Sequence, residues 1–183
     1  MAIKWKFDGN YSFKDEEFAR IYRFYVIETP VSGVSARAKS FKFRQINMNS
    51  LNASLRRDTP FLKDKWFVKS AKEVEGSCKD NGIDENVRFA NEIVIHTENR
   101  KLCTGKSDSM FYAIRCAFAH GSFATHKSKK QTYHVLENKD NGALKARMIL
   151  KENTLLKWIE IVETFPKSKS KKTVRKEMIN VDG

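Results

Sequence analysis

The residues best suited to chemistry are Arg115 and His120, in the stretch 107–123, SDSMFYAIRCAFAHGSF. An imidazole titrates near neutral pH and can take or give a proton. A guanidinium presents a fork of donors that fits phosphate oxygens. Together they suit RNA cleavage without a metal. A base removes the 2′-OH proton, an acid protonates the leaving 5′-oxygen, and the cation steadies the phosphorane between. The products would be a 2′,3′-cyclic phosphate and a 5′-OH. A single His does not easily fill both proton-transfer roles at once. A structural alternative exists for the same pair: Arg115 bound to a carboxylate, and His120 capping a helix C-terminus, where the dipole favours a cation.

The element that must position them is a helix. Ser107 or Asp108 can cap its start and Gly121 can end it. At about 100° per residue, Met110, Phe111, Ala113, Ile114, Ala117 and Phe118 fill one arc, suited to a core. Tyr112, Arg115, Cys116, Ala119 and His120 fill the opposite arc, which lacks the Lys and Glu of a plainly solvated face. Arg115 and His120 lie roughly 140° apart around such a helix. A long guanidinium and a His at a frayed end can still reach one anion, outside the helix or on a second subunit.

Ile114-Arg115-Cys116-Ala117-Phe118-Ala119-His120-Gly121-Ser122 resembles the Arg-x4-His motif of the HEPN superfamily. The family usually carries Asn, Asp or His directly after the Arg; here that position is Cys116. The layout further resembles a plasmid-borne HEPN branch in which a β-hairpin and another helix follow the motif. The resemblance implies an all-α helical bundle with one β-hairpin between the last two helices. It also implies an RNA hydrolase of toxin–antitoxin or antiviral defence type. In such nucleases two motifs meet across a homodimer interface, so Arg115 and His120 are the implied catalytic residues. The expected partners are RNA, a second copy and an antitoxin or other protein. The alternative is a non-catalytic RNA- or protein-binding module.

The whole chain is compatible with this. Its 183 residues suit one domain, read as 1–165, followed by a basic tail at 166–183. The composition, 40% hydrophobic and 31% charged, is that of an ordinary soluble protein. No apolar run approaches a membrane span, and the first residues lack a signal-peptide core. Cys78, Cys103 and Cys116 are an odd set without CxxC spacing, which reads as free thiols in the cytoplasm. No cofactor is expected: Cys116 and His120 at i, i+4 have no companion pair for zinc, and Gly105-Lys106-Ser107 lacks the earlier Gly of a P-loop. A net charge of +13 points to an anionic partner, most often nucleic acid. Lys127, Lys129, Lys130, Lys145 and Arg147 are the candidate RNA-binding cations.

Taken in order, residues 1–10 read as an extended lead. Ser12 caps a first helix with Phe18, Ile21, Tyr22, Tyr25 and Val26 inward, ending near Pro30. Residues 31–58 read as a loop, with a weak strand at 40–44 and a helix near 50–57. Thr59-Pro60 opens a helix to about residue 75, and a further helix spans 84–95. After the motif helix, Tyr133 and Val135 alternate, as do Leu144, Ala146, Met148 and Leu150; 138–142 forms their turn. Asn153 caps a last helix with Leu155, Trp158, Ile159 and Val162 on one face.

Overall fold

Asp15 begins the first helix: its carboxylate accepts hydrogen bonds from the N–H groups of Glu17 at 3.1 Å and Phe18 at 3.2 Å. Those donors would otherwise be orphaned at a helix start. The computed structural model describes residues 3–4, 14–28, 46–59, 67–68, 70–83, 86–87, 89–96 and 105–166. In chain order they form β1 Ile3–Lys4, then α1 Glu16–Tyr22, which continues as a π-helical turn Arg23–Glu28. Next come α2 Met48–Arg57, β2 Phe67–Val68, α3 Ala71–Asp80, β3 Asn86–Val87 and β4 Glu92–His96. The rest is α4 Lys106–Ala119, β5 Phe123–Ser128, β6 Gln131–Asp140, β7 Ala143–Lys151 and α5 Glu152–Thr164.

The strands overturn the all-α expectation. A five-stranded sheet runs in the order β2-β4-β7-β6-β5. Its neighbours are antiparallel except β2, which lies parallel to β4, and β1 pairs separately with β3. The architecture is mixed α and β. The expected helix at 84–95 is instead β3 and β4. The run Ile93-Val94-Ile95 is β-branched, which suits a pleated strand better than a helix. All three side chains are buried: Ile93 and Ile95 join the core beneath α4, and Val94 the core beneath α3. A short run buried on both faces shows no period to read.

The helix expected at 59–75 is also displaced. Phe67–Val68 is a strand, the helix begins only at Ala71, and Gly76 lies inside it. The start of α1 moves from Ser12 to Asp15, that of α4 to Lys106 after Gly105, and that of α5 to Glu152 after Lys151. The helix near 50–57 is present as α2, with Asn47 accepting from the backbone of Asn49 and Ser50. The lead at 1–10, apart from β1, the possible strand at 40–44 and the tail lie outside the described residues.

The hairpin β6–β7 is present and turns on Asn141-Gly142, both at positive φ (50° and 77°), as a two-residue turn matching sheet twist requires. It is not isolated: β5 adds a third strand. The larger core joins α1, the π-helical turn, α2, α4 and α5 to one sheet face through residues such as Phe18, Phe111, Phe118, Leu136, Met148 and Trp158. A smaller core packs Val74 and Cys78 of α3 on the other face, against Val94, Val135 and Ile149.

Candidate functional site

α4 carries the Arg-x4-His pair. Its expected apolar arc is inward: Met110, Phe111, Ala113, Ile114, Ala117 and Phe118 are all buried. The helix ends in a double reversal bond. Gly121, at φ +68°, donates its N–H to the Phe118 carbonyl at 3.3 Å, and Ser122 to that of Ala117 at 2.8 Å. This is the Schellman arrangement, which needs a left-handed residue where Gly stands. It leaves His120 as the last helical cap, exposed to solvent.

Arg115 is half-buried, one turn and a half before His120. Its Nε atom is buried and has no hydrogen-bond partner among the described residues. Tyr112 and Ala119 are half-exposed on the same side, whereas Cys116 is turned inward and only 5% exposed. Cys116 and His120 therefore occupy different environments. Among the described residues no group of three or more His, Cys, Asp or Glu is placed to hold a metal. No described helix is long and apolar enough to cross a membrane.

The candidate RNA-binding cations divide three ways. Lys127, Lys129 and Lys130 are exposed at the end of β5 and in the tight turn into β6, where Lys129 takes φ +56°. Arg147 faces Glu137 across the β6–β7 ladder; its Nε donates to the Glu137 carboxylate at 2.9 Å, and Lys139 meets the same carboxylate at 2.9 Å. Its charge is thus already matched. Lys145 is diverted by a bulge. Lys139 pairs with Leu144 and Asn138 with Ala146, so Lys145 is the extra residue of β7. Leu144 joins the core under α3 and Ala146 the core under α4. Lys145 lines a cleft beside α4, with Ile95, His96, Ser109, Tyr112, Ala113 and Asn138.

One polar cluster was not singled out in the sequence. His134 of β6 is fully buried between the rings of Phe18 and Phe118. Its Nε2 lies 3.0 Å from the Glu152 carboxylate and its Nδ1 3.3 Å from the Thr125 hydroxyl. The His134 hydrogen bond holds Glu152 below the ordinary carboxylate range, against the effect of its burial. Desolvation and then the neighbouring Glu152 charge raise Glu17. In the sequence His134 stands beside Tyr133 and Val135 in an alternating strand; only the arrival of α5 at its face reveals the carboxylate. Full burial and satisfied ring nitrogens make this a fixed junction between β5, β6 and α5.

No family profile, curated protein or solved structure matches the chain.

Proposed function

We propose that the chain is a HEPN-like, metal-independent endoribonuclease acting as a homodimer, with Arg115 and His120 as its catalytic residues. The observation that carries the reading is the end of α4. There an exposed imidazole caps the helix that carries a guanidinium whose buried Nε has no hydrogen-bond partner among the described residues, and that helix packs on the larger core. The reading rests on this motif and not on a helical bundle. His120 takes the 2′-OH proton, and the 2′-oxygen then attacks the adjacent phosphorus. Arg115 stabilises the charge on the phosphorane oxygens. The second subunit's copy of the motif supplies the acid that protonates the departing 5′-oxygen. The chain end is left as a 2′,3′-cyclic phosphate.

The test is a labelled RNA incubated with wild type and variants, with product ends analysed. His120→Ala is expected to lose about 10²–10⁴-fold in cleavage rate. Arg115→Ala is expected to lose activity too, and Arg115→Lys to restore it only in part, because a point charge lacks the fork. Absence of wild-type cleavage across varied RNAs, or cleavage indifferent to His120→Ala, would sink the reading. A second reading, RNA binding without turnover, is favoured by one observation: Cys116, directly after the Arg, is buried and offers no polar group to the reaction.

A further inference from the structure

We infer that the tip of the β5–β6 hairpin is a grip for the RNA backbone, set about 20 Å from the end of α4 that presents His120. The inference rests on the proposed action on RNA and adds to it where the strand is held away from the cut.

Two hairpin turns in one sheet use different residues. Between β6 and β7 the turn is Asn141-Gly142, a pair that takes positive φ readily. Between β5 and β6 it is Lys129-Lys130, with Ser128 pairing Gln131 across it. Lys129 stands at φ +56°, a left-handed conformation that its Cβ disfavours and that Asn or Gly would hold at lower cost. The turn itself therefore does not call for lysine. Protection of the open sheet border does not call for it either. A lysine blocks an open strand from within it, as Lys127 does on β5, whereas a lysine in the turn blocks nothing. Nor do ion pairs explain it: Lys127, Lys129 and Lys130 are exposed, and none is paired with a carboxylate among the described residues. Arg147 and Lys139, by contrast, both hold Glu137. Strained backbone clusters at functional positions. Here it carries free cations, in a chain of net charge +13, and these complement a polyanion.

The topology places this tip relative to His120. Towards its start, α4 lines a cleft with Asn138 of β6 through Ser109 and Ala113. At its end, Phe118 packs on Phe123, with ring centres 5.0 Å apart, and on His134, 5.9 Å apart. α4 therefore runs along β6 from Asn138 towards His134 and stops over the start of β5. The hairpin continues past that point to the Ser128–Gln131 pair. From Phe123 to Ser128 it advances by about 17 Å at ~3.4 Å per residue, and the turn adds a few more. The tip thus projects beyond the end of α4 that carries His120. At a stacked rise of about 3.4 Å per nucleotide, the gap spans about six nucleotides of one strand.

Binding is measured apart from turnover, in full-length His120→Ala protein, by anisotropy of fluorescein-labelled oligoribonucleotides at several salt concentrations. The main variant adds Lys129→Asn and Lys130→Gly together. It removes two charges and suits the turn better, so thermal stability should hold or rise. On a strand of about 16 nucleotides the log–log salt slope should fall by roughly 1.4, about 0.7 for each lost phosphate contact, with affinity several-fold weaker at low salt. Lys129→Arg with Lys130→Arg should keep the slope. Shortening the strand to about 4 nucleotides should cost the unaltered turn more affinity than the doubly substituted one, because only the longer strand reaches both points. Unchanged slope and affinity in the double substitution overturns the grip. An equal loss on shortening overturns it too, since it would mean diffuse attraction. Should the double substitution misfold, an unchanged slope in Lys127→Gln overturns the grip instead. RNA held with the expected lysine dependence but never cut by wild-type protein sinks the nuclease reading and leaves the grip standing. No RNA binding at low salt overturns both, and capture of anionic vesicles in its place would make a lipid surface the occupant.

Discussion

Arg147 and Glu137 show how a charge counted as available in a sequence can be committed in the fold. Glu137 is 3% exposed and sits opposite Arg147 in the ladder, with its carboxylate shared between Arg147 and Lys139. Removing one partner of such a pair strands the other charge, a larger loss than the pair's net contribution. Glu137→Ala is expected to destabilise the fold by about 3 kcal/mol, read as a fall in the urea midpoint at constant m-value. Replacing both residues by apolar side chains of similar volume should recover most of the loss. An unchanged midpoint in Glu137→Ala would mean that the pair contributes nothing and Arg147 is available after all. His134 and Glu152 are committed in the same sense, and that commitment needed the approach of two elements distant in sequence.

At the scale of elements, the end of α4 is set by one backbone angle. Gly121 at φ +68° allows the double reversal that presents His120, and a Cβ placed there would meet nothing within 4 Å. The cost of Gly121→Ala is therefore conformational alone, about 1–2 kcal/mol for a left-handed residue bearing a Cβ. A matching fall in thermal stability is expected, with a loss of RNA cleavage larger than that fall explains, because His120 shares the turn. Full activity in a destabilised Gly121→Ala would detach the turn from the chemistry. The amphipathic arc of α4 and the Asn141-Gly142 turn were legible in the sequence because each depends on neighbours a few residues away. β4 was not, since burial on both faces erased its period. β5 was not either: its turn into β6 uses Lys129-Lys130, where a hairpin would ordinarily announce itself with Asn or Gly, so the segment read as a basic loop. The bulge at Lys145 was equally invisible, because register is a property of two strands and not of one.

At the scale of the molecule, the proposed chemistry needs two copies of α4. If the strip of Tyr112, Arg115, Ala119 and His120 meets its symmetry mate, Ala119→Trp should overpack the contact and yield monomers, with cleavage lost. Light scattering at micromolar concentration checks this; a monomeric wild type would defeat the dimer. The sheet itself bears on how copies can meet. One border, β2, is two residues long, and the other, β5, carries Lys127 and runs into Lys129 and Lys130. Short or lysine-bearing borders resist hydrogen bonding to a strand from another molecule. Growth by adding strands, the route to fibres and to swapped sheets, is disfavoured at both ends of the described sheet, and self-association is directed toward side-chain contacts between helices.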